Sequence, residues 1–335
     1  MNCFVIAEAG VNHNGNLDIA RRLIDAAADA GADAVKFQTF RADDIAVADA
    51  KKASYQIEQT GGGNQRDLLK ALELDFESHL ALAKHATDRN IPFASTAFDS
   101  ASLELVCELG CPFLKIPSGE ITNFPLIKAI ASKGKPVILS TGMSTLNEVK
   151  RALSWLGTKP EASDILPAIT VLHCITQYPA PTTEINLRCI ETMRNDLQIA
   201  TGYSDHSAGI TISIGAAAMG ATVIEKHFTI DRELPGPDHK ASLEPDELES
   251  MVKSIRDITA ALGDGIKRPM PCEADNLEVV RRSIVATREI AKGELLTTEN
   301  LTVKRPAGGI SPAQWYEVLG QAAIDDFAAE TLIRI

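Results

Sequence analysis

Two lysines lie inside apolar runs, Lys36 in AVKFQ and Lys115 in FLKIPSGE. A lysine in such a run is costly to bury unless an anion meets it. Gln38 follows Lys36 by two and shares its face in an extended segment. Hydroxyls and acids end the other apolar runs: Glu8; Ser95 and Thr96; Ser118 and Glu120; Ser140 and Thr141; His173, Thr176 and Tyr178; Ser204, Asp205 and His206; Glu225 and His227. Two lysines with hydroxyls and loop amides around them suit a small substrate that carries phosphate and carboxylate. Of the acids, Glu8 or Glu120 can serve as a general base, or both can simply hold the lysines. His206 and His227 lack the i, i+4 spacing of a local metal motif. At the ends of adjacent strands they would offer two imidazoles to Mn²⁺ or a similar divalent ion and leave positions open. Blander readings run alongside: lysines snorkelling at a surface, serines capping helices, and histidines that are structural.

The elements that would carry these residues recur regularly. Strands are expected at 4–8, 33–38, 91–96, 112–116, 136–141, 169–174, 198–204 and 222–227, each a short apolar run. Amphipathic stretches such as LDIARRLIDAAADAG, stopped by Gly31, separate them. Eight strand–helix units within residues 1–262 predict an α/β fold, a (β/α)8 TIM barrel, whose strand ends build one site. An open doubly wound sheet is the alternative, but no GxGxxG follows the first strand. The connection 40–75, with glycines at 61–63, is too long for a plain turn and is expected to cover the barrel mouth. Residues 263–280 read as a linker without apolar period. Residues 281–335, broken by Lys-Gly, Glu-Asn and Gly-Gly, read as a small β-rich module.

Composition narrows the function. With 33 Lys and Arg against 45 Asp and Glu in 335 residues, the net charge of −12 argues against a nucleic-acid partner, which needs a basic face. No segment approaches the ~20 apolar residues of a membrane span, and MNCFVIAEAG lacks a basic leader, so the expectation is no membrane partner and a cytoplasmic location. Six cysteines without a CxxC pair fit reduced thiols better than a disulfide or zinc framework.

Taken in order, FVIAEAGVNHNG, AVKFQ, FASTAFD, LKIPSGE, LSTGM, HCITQYPAP, GYSDH, EKHFT and PGPDH resemble the nonulosonate synthase family, which includes the bacterial sialic acid synthases. The C-terminal module, with KRPAGG, is similar to the family's antifreeze-like (SAF) domain, so the resemblance spans nearly the whole chain. It implies condensation of phosphoenolpyruvate with the open-chain aldehyde of N-acetylmannosamine, giving N-acetylneuraminate and phosphate. It also implies that Lys36, Thr96, Lys115, Ser118, Ser140 and Ser204 hold phosphoenolpyruvate. Gln38, Tyr178, Asp238 and the long second loop, with Asn64 and Gln65, would face the N-acyl amino sugar. His206 and His227 would bind a divalent metal, commonly Mn²⁺, with Mg²⁺ or Co²⁺ as options. Arg305 would reach the sugar's N-acyl group from a partner subunit, which makes a domain-swapped homodimer. Within that chemistry Glu120 is the first candidate to take the proton of the attacking water and Glu8 the reserve.

Three other readings compete. TGG in the second loop and TQYPAP also resemble legionaminic acid synthases, which use 2,4-diacetamido-2,4,6-trideoxymannose. A Schiff-base aldolase would use Lys115 or Lys36 as its amine and need no metal. A non-catalytic carbohydrate- or phosphate-binding protein would tolerate loss of Glu120.

Overall fold

The computed structural model describes residues 3–158 and 160–335. They divide into two compact units, Met1–Gly263 and Asp264–Ile335.

The first unit is a closed parallel barrel whose strands neighbour one another in chain order. They are β1 (Phe4–Gly10), β2 (Ala34–Thr39), β3 (Phe93–Ala97), β4 (Leu114–Ile116), β5 (Val137–Ser140), β6 (Ile169–Cys174), β7 (Ala200–Asp205) and β8 (Val223–His227). β8 returns to β1, with Ile6 opposite Glu225 and Glu8 opposite His227.

Alternation along the strands divides the barrel interior into layers. The lower layer is apolar: Ile6, Ala34, Ala94, Phe113, Ile138, Leu172 and Val223 pack in one buried cluster. β7 supplies Gly202 here because nothing larger fits. A Cβ on it would lie 2.3 Å from the carbonyl oxygen of Val223 and 2.7 Å from Leu172 Cδ2. Two residues further along each strand the layer turns polar, and that layer floors the site described below.

The opposite faces of the strands, with Val5, Ala7, Val35, Phe37, Leu139, Val171 and Ile224, pack against the surrounding helices in the main core. The helix Leu17–Asp29 shows how the sequence makes this layer. Asn16 caps it by accepting from the amides of Asp18 and Ile19, and Ala20, Leu23, Ile24 and Ala27 are buried at helical spacing. Gly31, at φ +72°, follows its end.

The connection after β2 is folded, not open loop. It contains three short helices, Ala42–Ile45, Ser54–Thr60 and Gln65–Lys70. Leu72 packs with Val11 and Phe40 in a satellite core, which Leu68, Leu69 and Phe98 flank.

The second unit pairs β9 (Ser283–Ala286) with β10 (Leu301–Lys304) antiparallel. Isolated bridges such as Ile290 to Phe327 extend this around a core of Ile284, Leu296, Leu301, Val318 and Ile333. The stretch 263–280 departs from the expected plain linker. Pro271–Glu273 forms a 3-10 turn, Glu273 accepts from the amide of Met270 at 2.8 Å, and a helix follows at Ala274–Val280. Seven residues are too few for an apolar period to show in sequence. All six cysteines are free thiols. No helix among the described residues is long and apolar enough to cross a membrane.

Candidate active site

Each strand of the barrel contributes one side chain to the polar layer: Glu8, Lys36, Thr96, Lys115, Ser140, Cys174, Ser204 and Glu225. All eight line one cavity at the C-terminal ends of the strands. That is the end where barrel loops converge and sites are built.

The two lysines are almost wholly buried, at 2% and 4% exposure. Lys36 Nζ donates to Thr96 Oγ1 at 2.8 Å and lies 2.7 Å from Glu8 Oε2 and 3.5 Å from Glu225 Oε2. Lys115 Nζ donates to Ser140 Oγ at 2.7 Å and lies 3.7 Å from Glu225 Oε1. Ser204 Oγ donates to the same Oε1 at 2.9 Å. Glu225 therefore sits between the lysines as an internal counter-anion.

These neighbours set the charge of the floor. Burial works against ionised Lys36, but Glu225 and Glu8 outweigh it and hold its pKa above the ordinary value. Burial lowers that of Lys115, which Glu225 only partly offsets. Glu225 is itself desolvated, yet Lys115, Lys36 and the Ser204 hydroxyl bring it down to about 2. For Glu8, burial prevails over Lys36 and pushes it up to about 7. Glu8 is the closer carboxylate to Lys36, but Glu225 has both lysines, so the first proton the pair accepts goes to Glu8.

Above the floor stand the groups at the strand ends. His206 Nδ1 donates to the Ile175 carbonyl at 2.6 Å, which fixes the tautomer and leaves the Nε2 lone pair available. His227 Nδ1 is buried without a hydrogen-bond partner. The ring centroids are 5.5 Å apart. Burial takes His206 down to about 4 and His227 well below its ordinary value, so both rings are neutral and able to ligate. The pair fits a divalent ion on these terms. Among the described residues no group of three or more His, Cys, Asp and Glu could hold one, so solvent or substrate would complete the coordination. Gly10, at φ +52°, leaves the space beside them, since a Cβ there would lie 3.3–3.4 Å from His227, Gln38 and Glu8.

Tyr178 stacks on His206 at 4.1 Å and meets His227 edge-on at 5.6 Å. Tyr55 of the long connection lies 5.2 Å from Tyr178. Gln38 Nε2 donates to Glu8 Oε1 at 3.3 Å. Asp238 is buried in the wall, and desolvation raises it to about 6.

Most of the residues singled out in the sequence converge here: Glu8, Lys36, Gln38, Thr96, Lys115, Ser118, Ser140, Tyr178, Ser204, His206, His227 and Asp238 all line the cavity. Glu120 does not. It lies in a 3-10 turn outside the wall, where its carboxylate accepts from Asn123 Nδ2 at 2.6 Å. Ser95, His173 and Asp205 end strands but face outward, bonded to Thr39, the Ile185 carbonyl and Lys226. Asn64 caps the helix Gln65–Lys70, and neither Asn64 nor Gln65 lines the cavity. The connection offers Tyr55, Gln56, Leu68, Leu69 and Leu72 instead. Arg305 is exposed in the second unit, just after β10. Cys174 was missed, although alternation from Leu172 would have found it.

Comparison with known proteins agrees with this geometry. A model of the NeuB family matches residues 23–267, and a model of the SAF domain matches 281–335. The chain belongs to the NeuB family. Among its relatives, the N,N'-diacetyllegionaminic acid synthase of Campylobacter jejuni is 49% identical, over 98% of both chains. The human N-acetylneuraminate-9-phosphate synthase is 35% identical, over 99% of this chain and 92% of the other. A solved N-acetylneuraminic acid synthetase from Leptospira borgpetersenii, in complex with citrate, superposes with a TM-score of 0.72 at 37% identity. It covers 83% of this chain and 91% of its own. The barrel-plus-SAF architecture and the nonulosonate synthase class expected from sequence are those of this family, and the chain is accordingly a synthase.

Proposed function

We propose that this synthase condenses phosphoenolpyruvate with the open-chain aldehyde of 2,4-diacetamido-2,4,6-trideoxymannose, giving N,N'-diacetyllegionaminic acid and phosphate. N-acetylmannosamine, the first expectation from sequence, becomes the second reading. The observation that carries the choice of acceptor is the 49% identity, end to end, with the diacetyllegionaminic acid synthase, against 35% for the human N-acetylneuraminate-9-phosphate synthase and 37% for the Leptospira synthetase.

The chemistry follows from the floor of the cavity. Lys36 and Lys115, with Thr96, Ser118, Ser140 and Ser204, receive the phosphate and carboxylate of phosphoenolpyruvate. The sugar lies above, toward Gln38, Tyr178 and Asp238. C3 of phosphoenolpyruvate attacks the aldehyde carbon and a C–C bond forms. The cationic C2 that results takes up water, and the tetrahedral intermediate then expels phosphate. Glu8 takes the proton from that water. It stands in the wall beside Lys36, with a pKa near 7 suited to general-base work, whereas Glu120 is turned away onto Asn123. The buried lysines stabilise the developing charge without reorganising, often the largest catalytic term. His206 and His227 would hold a divalent metal, Mn²⁺ above Mg²⁺ or Co²⁺, which when bound would polarise the aldehyde oxygen. Arg305 of a partner subunit would contact the N-acyl group in a domain-swapped homodimer.

The test is phosphate release from phosphoenolpyruvate with Mn²⁺, in parallel with 2,4-diacetamido-2,4,6-trideoxymannose and N-acetylmannosamine. Products would be weighed by mass spectrometry and a chelator run as control. Turnover of the diacetamido sugar, abolished by chelator, supports the reading. Turnover of N-acetylmannosamine alone moves the acceptor to the second reading. Failure of both, with borohydride trapping pyruvate on Lys115 or Lys36, would favour the aldolase.

A further inference from the structure

The aliphatic residues of the cavity gather on one side of it. The wall above β6 to β8 presents Thr176, Tyr178, His206 and Asp238. The wall above β1 to β3 presents Val11, Leu68, Leu69, Leu72 and Phe98, with Gln38, Tyr55 and Gln56 on the same side. Leu72 and Val11 are buried in the satellite core, which backs this shelf from behind. Leu68 and Leu69 are only half-buried while they line the cavity, so part of their apolar surface faces it. Apolar surface left facing a wet cavity is unfavourable until something apolar covers it.

Position in the barrel says which part of the substrate that is. The lysine floor takes the anionic groups, and the reacting aldehyde, C1 of the sugar, must meet them beside His206 and His227. The sugar's far end, C6, then points away from the floor toward the loops, where the connection after β2 supplies the leucines. We infer that Leu68 and Leu69 form a specificity shelf for the C6 methyl group of the acceptor, and so select 6-deoxy sugars. The inference rests on the proposed condensation but not on which substituent C4 carries. A C6 hydroxyl set against Leu68 and Leu69 would lose water and gain no partner from either side chain. Apolar pockets reject an added hydroxyl by up to about a hundredfold, which sets the size of the effect.

Four acceptors separate this inference from the proposed acceptor: N-acetylmannosamine, its 6-deoxy analogue, 2,4-diacetamido-2,4-dideoxymannose and 2,4-diacetamido-2,4,6-trideoxymannose. The C4 comparison tests the proposed function, and the C6 comparison, at whichever C4 group is used, tests the shelf. The wild type is expected to prefer the 6-deoxy member by about tenfold to a hundredfold in kcat/KM. Leu68→Gln and Leu69→Gln should bring that ratio toward one and leave KM for phosphoenolpyruvate unchanged. Leu68→Met and Leu69→Met should retain the preference. A wild-type ratio near one overturns the inference, even if the glutamine variants do not fold. So does a preference that survives both glutamine variants. Selectivity for C6 together with a preference for the C4 hydroxyl would overturn the diacetamido reading and keep the shelf. Turnover of none of the four overturns both.

Discussion

At the scale of single residues, the structure separates the two glutamates that the sequence offers as bases: Glu8 lines the cavity and Glu120 does not. Glu120 follows Ser118 in a motif that looks like one unit, but a 3-10 turn rotates its carboxylate onto Asn123. Glu8→Gln is expected to lower kcat by ~10²–10⁴. Glu120→Gln should lower it by less than about tenfold, a contrast that steady-state kinetics would check; equal losses would return Glu120 to the water-activating role. Histidines away from the site set a second expectation. His13 and His239 are buried, and desolvation takes each down to about 4, so the folded state holds them neutral. His79 and His239 also lower His13, and Asp231 acts in the opposite sense on His239. Unfolded histidines bind protons near pH 6.5, so below that value the unfolded state binds more protons than the native one. Stability is then full above about pH 6.5 and falls as pH drops toward 4, by roughly 2 kcal/mol per residue at pH 5. Urea unfolding at pH 7 and pH 5 would show this, and His13→Asn, which keeps an acceptor for the Gly15 amide, should flatten the difference.

At the scale of elements, legibility followed period. Eight short apolar runs gave the strands to within a few residues, because buried parallel strands are near-continuous hydrophobic runs. Facing was harder. Asp205 and Ser204 are neighbours, yet Ser204 lies on the floor while Asp205 points outward, bonded to Lys226 at 3.1 Å and to Ser213 at 2.6 Å. Only the register of β7 against β8 decides which side each takes. The tertiary fold of the 40–75 connection, and with it the leucine shelf, was not legible, because its helices have six or seven residues at most. Two expectations belong here. Asp205→Asn leaves Lys226, fully buried, without its partner charge, and should cost about 3–5 kcal/mol. Joint replacement by Asp205→Leu and Lys226→Met should cost less, and denaturant titration would compare them. Gly202→Ala presses a methyl into the backbone of β8 and should destabilise by at least ~3 kcal/mol, or prevent soluble expression. A variant with unchanged Tm would show that β7 yields more readily than its contacts imply.

For the whole molecule, the proposed dimer makes a prediction that no single chain can satisfy. Glu8→Gln and Arg305→Ala subunits are each expected to be nearly inactive as homodimers. Mixed after denaturation and refolding, half the dimers would hold one site with an intact Glu8 and an intact partner arginine, so about a quarter of wild-type activity should return. No recovery would place Arg305 with its own barrel, and an Arg305→Ala homodimer that is already active would place it at no site. The eight-strand floor has another consequence. Because every strand owns one of its side chains, there is no fragment of the ring in which a weaker version of the enzyme could survive. Catalysis is a readout of ring closure. In urea, turnover should not outlast the fluorescence change of Trp155, which packs against the barrel's core, read in a Trp315→Phe background so that Trp155 alone reports. The protein would have no partially folded state that is also partially competent.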